Sequence, residues 1–210
     1  MADWDTIFRK EGKVFLDPLE DLAAVVPLLR REKAKRILDL GCGTGRHAVM
    51  LAREGFEVHG MDASPEGIRL ARAWLGKEGL KATLRVASCY EQFPFADGFF
   101  DAVVSVQVIH HNRRAAVRRC ISEMARVLRP GGILFLSVPS WKRRRSVSKK
   151  SRKVAPHTYI PLEGRETGVL HFLYNRALLR QDFRAFRILD IHKDKSEHYC
   201  LLGRRREKRS

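Results

Sequence analysis

A chain of 210 residues with 41 Lys and Arg against 24 Asp and Glu carries a formal net charge of +17. The length suits one domain that buries roughly 70 per cent of the surface its unfolded chain exposes, so a second domain is not expected. No apolar run is long enough for a bilayer, and the start Met1-Ala2-Asp3-Trp4 lacks the cationic-then-apolar order of a signal peptide, so no membrane span is expected and a cytoplasmic location is.

Residues 18–31 place Leu19, Leu22, Val25, Val26 and Leu29 on one face and predict a helix. Residues 36–40 then predict a first strand, 46–54 a helix, 57–61 a second strand and 65–76 a helix opened by Ser64-Pro65-Glu66. A short third strand at 84–86 has no clear helix after it, and 102–106 reads as a buried fourth strand. Residues 113–128 repeat apolar positions at helical spacing until Arg129-Pro130-Gly131-Gly132 stops them, and 133–138 form a fifth strand. Residues 139–153 read as an exposed basic loop and 159–171 as an irregular segment. Asn175 caps a helix running to Phe183, and strands at 186–191 and 198–203 complete the chain. This alternation predicts an α/β fold with a mostly parallel sheet covered by helices on both faces.

The first strand ends in Asp39-Leu40-Gly41-Cys42-Gly43-Thr44-Gly45, and the second ends in a carboxylate, Asp62, about 20 residues on. That order is the form of a nucleoside-binding strand-turn-helix-strand unit. Its third glycine comes four positions after the first, one short of the dinucleotide spacing, and no Gly-Lys-Ser/Thr follows to cradle a triphosphate. Asp62, at a strand tip, can accept hydrogen bonds from both hydroxyls of a ribose. Cys42, Cys89, Cys120 and Cys200 include no Cys-x-x-Cys pair, which argues against a zinc site and a disulfide framework, and no acid cluster suggests a catalytic metal. No metal is expected.

The acid-x-Gly-x-Gly-x-Gly run resembles the first motif of class I S-adenosylmethionine-dependent methyltransferases. Phe100-Asp101-Ala102-Val103-Val104-Ser105, Ile109-His110-His111 and Arg126-Val127-Leu128-Arg129-Pro130-Gly131-Gly132 resemble that superfamily's later motifs, in the same order. The resemblance implies a Rossmann-like seven-stranded sheet in the order 3-2-1-4-5-7-6, with strand seven antiparallel. It also implies S-adenosylmethionine as cofactor and S-adenosylhomocysteine as product. One methyltransferase domain would span 1–205: an arm and helix at 1–35, a cofactor-binding core at 36–138, a basic loop and substrate lid at 139–172, and a terminal helix and strands at 173–205.

By the same resemblance the cofactor would meet Asp39, Gly41, Cys42, Gly43, Gly45, Asp62, Ala63, Cys89, Tyr90, Val106 and Gln107. Cys89 stands where many members carry an acid for the adenine, and cysteine is a poor acceptor. Backbone near Ser88 to Tyr90 is therefore expected to hold the base. Ligands of open parallel sheets sit beyond the carboxyl ends of the strands, which makes His110 and His111 the catalytic candidates. Tyr159, Glu163 and His171 are candidates for the substrate side, and Trp4, Phe8 and Phe15 are placed to fold over the cofactor.

Lys142 to Lys153 holds eight cations and no acid, a concentration that makes a directed field for a polyanion. RNA is the slightly favoured acceptor on that ground. A small-molecule acceptor, and a catalytically idle cofactor-binding subunit, remain as the alternatives. Oligomeric state and the atom methylated are not legible.

Overall fold

The computed structural model describes residues 3–143 and 150–207. The N-terminal arm is a helix, α1 (Trp4–Glu11), because Asp3 caps its first turn by accepting from the Thr6 amide and Gly12 closes it at φ 67. The helix expected at 18–31 is two short ones, α2 (Glu20–Ala23) and α3 (Val26–Arg31). Pro27 lacks the amide hydrogen that would carry a single helix through this point.

The remaining elements run β1 (Arg36–Leu40), α4 (Arg46–Arg53), β2 (Glu57–Asp62), α5 (Pro65–Lys77), β3 (Thr83–Val86), β4 (Phe100–Val106), α6 (Arg114–Val127) and β5 (Leu128–Pro139). After a 3-10 turn at Trp141–Arg143 come β6 (Ser151–Ala155), β7 (Thr158–Pro161), β8 (His171–Phe172), α7 (Arg176–Asp182), β9 (Phe186–Lys193) and β10 (His198–Arg205). The large sheet has the order β3-β2-β1-β4-β5-β10-β9. With β9 and β10 as strands six and seven, this is the expected Rossmann-like order, and β10 is antiparallel to both neighbours.

Alternate residues of the central strands enter opposite cores, which is why those strands read as unbroken apolar runs. Ile37, Ala102, Val104 and Phe135 pack with Leu22, Leu29 and Leu51 on one face. Leu38, Leu40, Val103 and Leu134 pack with Val117, Ile121 and Met124 on the other.

The loop and irregular segment expected after the fifth strand are largely a second, three-stranded antiparallel sheet, β6-β7-β8. Its first hairpin turns at Pro156-His157, where His157 takes φ 57, and pairs Arg152 with Ile160. Charged residues on β6 conceal any apolar alternation, so nothing local announced a strand. Of the basic run Lys142 to Lys153, residues 144–149 lie outside the described residues; Lys150, Arg152 and Lys153 are exposed. Among the described residues no helix is long and apolar enough to cross a membrane.

Candidate active site

Parallel strands bring the tips of β1, β2, β4 and β5 to one edge of the sheet, and antiparallel β10 begins there, with His198 in register with Pro139. A cavity of about 760 Å³ opens over this edge. That is within the range of small-molecule sites.

One half of the cavity is built from the glycine loop. Gly41 takes φ 71, and a Cβ there would lie 2.3 Å from both methyls of Val108, so the chain can turn here only without a side chain. The Gly41 amide donates to the Met61 carbonyl at 2.7 Å, tying the loop to β2. At the tip of β2, Asp62 accepts from the Gly43 amide through Oδ2 and from the Ser64 amide through Oδ1, each at 2.8 Å. Burial still raises its pKa, because two amides do not replace the water removed. Cys42, Ala63, Cys89, Tyr90, Val106 and Gln107 also line the cavity.

Two residues expected at the cofactor do not line it. Asp39 is 1% exposed beneath the loop, and burial pushes its carboxyl up to about 7. Gly45 caps α4 at φ 97, and a Cβ there would come within 2.9 Å of the Ala71 Cβ, so its bareness serves the approach of α4 to α5. Both positions support the loop from behind.

Helix α1 covers this half. Asp5 accepts from Ser64 Oγ at 2.6 Å and the Glu66 amide at 2.9 Å, and these bonds with the Arg9 guanidinium hold its pKa at about 2. Phe8 sits 3.3 Å from where a Gly43 side chain would begin. His47 is buried at the cavity wall, accepts from the Leu19 amide through Nε2, and is pushed down to about 3 by burial.

The other half is a wall of histidines. His110, His111 and His171 line the cavity with ring centroids 3.9 to 5.4 Å apart, although sequence alone gave no reason to join His171 to the pair. Their ring nitrogens lie within 4.8 Å of one another, a spacing that a metal ion could share. The hydrogen bonds do not suit one. Trp4 Nε1 donates to His111 Nδ1 at 3.2 Å, which leaves the proton of that ring on Nε2. His171 Nδ1 donates to the Val169 carbonyl at 2.9 Å, and its Nε2 meets Glu166 Oε2 at 2.6 Å.

His111 was a candidate base; burial drives its pKa to about 3, and its bond from Trp4 makes it a neutral donor instead. Tyr159 does not reach the cavity. It is buried on β7, opposite His171 in the register and with its ring 5.8 Å from Trp141. Glu163 does line it.

Several site residues had no local signal: Glu166, His198 and the pairing of Trp4 with His111. At the tip of β4, Gln107 holds φ 59, rare for a residue with a side chain, while its amide donates to Ser137 at 2.9 Å.

Residues 37–132 match the model of a methyltransferase-domain family. An uncharacterized methyltransferase of Synechocystis is 38% identical over 119 residues, 57% of this chain and 50% of that protein. A ubiquinone biosynthesis O-methyltransferase of Xanthomonas axonopodis is 36% identical over 104 residues, 49% of this chain and 42% of that protein. The chain thus spans about half the length of the curated relatives it matches. Among solved structures, the Burkholderia thailandensis 1,6-didemethyltoxoflavin-N1-methyltransferase, crystallised with 1,6-didemethyltoxoflavin and S-adenosylhomocysteine, superposes at a TM-score of 0.69 with 19% identity, covering 96% of this chain and 85% of that one. At that identity the likeness is one of fold.

Proposed function

We propose that the chain, whose residues 37–132 match a methyltransferase-domain family, is a class I S-adenosylmethionine-dependent methyltransferase and that it methylates a small aromatic hydroxyl compound. The observation that carries this reading is a single cavity that joins the glycine loop to the histidine wall.

The residues fit S-adenosylmethionine. Each Asp62 oxygen takes one amide and keeps a lone pair for a ribose hydroxyl. The loop offers bare backbone at Gly41 and Gly43, and Ser88 to Tyr90 border the place for the adenine. When bound, the cofactor supplies an electrophilic methyl group. The protein's own tasks are to hold the acceptor in line, to keep water out and to receive a proton where the acceptor is a hydroxyl.

A small acceptor is favoured over RNA for two reasons. The relatives' names concern small molecules: one acts in ubiquinone biosynthesis as an O-methyltransferase, and one methylates N1 of 1,6-didemethyltoxoflavin. The acceptor side is also walled by buried His110 and His171 and half-buried His111, with Trp4 and Phe15 as its apolar border, whereas exposed Arg152 and Lys153 lie on β6 and do not line the cavity. Such walls suit an aromatic ring. A phenolic proton is also within reach of an imidazole, since phenols ionise near 10.

Calorimetric titration with S-adenosylhomocysteine, followed by transfer of labelled methyl to catechol and to total RNA, tests the reading. Micromolar product binding and labelled catechol are expected. Absence of product binding would end the methyltransferase reading, and label in RNA alone would restore the nucleic-acid acceptor.

A further inference from the structure

The β9–β10 turn places a buried carboxylate against a histidine at the acceptor end of the cavity, and neither residue stood out in the sequence. Asp194 Oδ1 accepts from the Ser196 and His198 amides, both at 2.8 Å, which locks the turn. Its Oδ2 lies 3.1 Å from His198 Nδ1. Both side chains are almost wholly buried, at 4% and 6% exposure. Burial raises the Asp194 pKa, but His198 and the turn amides outweigh it, so the carboxylate stays charged. A carboxylate on Nδ1 keeps the imidazole proton there and leaves the Nε2 lone pair free.

His198 also lines the cavity, beside Val106, Gln107 and Pro139. Register places it there: it pairs with Pro139 at the tip of β5, and the strained Gln107 at the tip of β4 brings its amide nitrogen to 3.4 Å from the same Nδ1. That distance is too long to compete with the carboxylate. The other histidines with assigned bonds on this side are committed, His111 at Nδ1 by the Trp4 indole, which leaves its proton on Nε2, and His171 to Val169 and Glu166. Glu163, Arg165 and His110 are the further titratable groups of the acceptor wall.

We propose that His198, oriented by Asp194, is the residue that takes the proton from the acceptor hydroxyl. The inference rests on the methyltransferase reading and deepens it. In the step, the acceptor O–H bond breaks, its electron pair stays on oxygen, and the proton goes to His198 Nε2. The resulting imidazolium faces the Asp194 carboxylate and later releases the proton to water. Asp194 is a positioning residue, since it touches His198 and not the acceptor.

The test needs no knowledge of the natural acceptor. Diethyl pyrocarbonate acylates a free, unprotonated imidazole nitrogen, and the tryptic peptide Ser196–Arg204 contains no other histidine. Native protein is expected to be labelled on that peptide. Asp194→Asn should slow the labelling about fivefold or more, and catechol should protect His198 when S-adenosylhomocysteine is saturating. In turnover of catechol, His198→Gln should lower kcat by about 10²- to 10⁴-fold, the usual worth of a general base, with product affinity unchanged.

An unlabelled His198, labelling indifferent to Asp194→Asn, or catechol turnover that survives His198→Gln would each overturn the proposal. So would native protein that binds S-adenosylhomocysteine yet neither methylates catechol nor is protected by it. If native protein fails to bind S-adenosylhomocysteine at all, the methyltransferase reading is what fails.

Discussion

The two halves of the cavity are made in different ways. The cofactor half has its centre in one contiguous stretch, β1 to the start of α5, and works there mostly through backbone: a glycine turn, amides on Asp62 and a cap at Ser64. The acceptor half gathers side chains from the β4 tip, the 161–171 segment, the β9–β10 turn and α1. A backbone-built site is tied to its fold and carries over between relatives, which is why the family match lies at 37–132. A side-chain site can be rebuilt residue by residue without disturbing the sheet, and it is where relatives with one cofactor part in substrate.

The sharpest way to break the contrast is at the loop. Gly41→Ala puts a methyl 2.3 Å from Val108 and keeps a left-handed φ, two costs that together come to about 3–4 kcal/mol. A large fall in the denaturation midpoint and loss of product binding are expected. A variant that melts like the parent would show that the loop has slack the structure does not.

Next in size is Asp39, whose effect is on stability and not on contact with ligand. Its carboxyl is raised to about 7, so its contribution is full below the unfolded value of 3.8 and is lost as pH rises through 7. Asp39→Asn removes that dependence. Relative to the parent it should gain about 2–3 kcal/mol between pH 5 and pH 8 in urea unfolding. Buried His47 and His111 act with the opposite sign: held near 3, they cost stability as pH falls from 6.5 towards 3, in parent and variant alike. An equal difference between the two proteins at both pH values would refute the assignment.

Asp62→Ala separates the halves more finely. It should weaken S-adenosylhomocysteine by about 1.5–3 kcal/mol, the worth of charge-assisted hydrogen bonds, and leave the fold intact. Calorimetry decides, and undiminished affinity would move the ribose elsewhere.

The smallest expected effect is on the basic run. Replacing Arg143, Arg144, Arg145, Lys149 and Lys150 with Ser should leave product affinity and catechol turnover within about twofold at low and high salt. A protein that tracked a phosphate chain through these residues would instead lose roughly 0.7 to 0.9 of log-log salt slope per contact removed. Equal slopes support the small acceptor; a flattened slope on RNA with loss of RNA methylation would reverse it.

Residues 36–138 were legible in sequence because their signals are local. A strand buried on both faces shows an apolar run, a turn at positive φ shows glycine, and a helix start shows Ser64-Pro65. The same locality misled at Asp39 and Gly45, which sit in the motif but turn away from the cavity, one to the interior below and one to α5. Tyr159 was chosen for its position in a segment; in the small sheet it is buried against Trp141, and its neighbour in the register, His171, is the one that lines the cavity.

By itself the sequence determined the order of elements, the glycine loop, the carboxylate at the tip of β2 and hence the class of cofactor. The tertiary structure alone decided which residues face the acceptor. Trp4 meets His111 across 107 positions and Gln107 meets His198 across 91, contacts set by how α1 docks and by the register of β10 on β5. Backbone conformation and side-chain period are properties of neighbours along the chain, and strand register between distant segments is not, so the chemistry that needs several side chains at one point appears only when the sheet has closed.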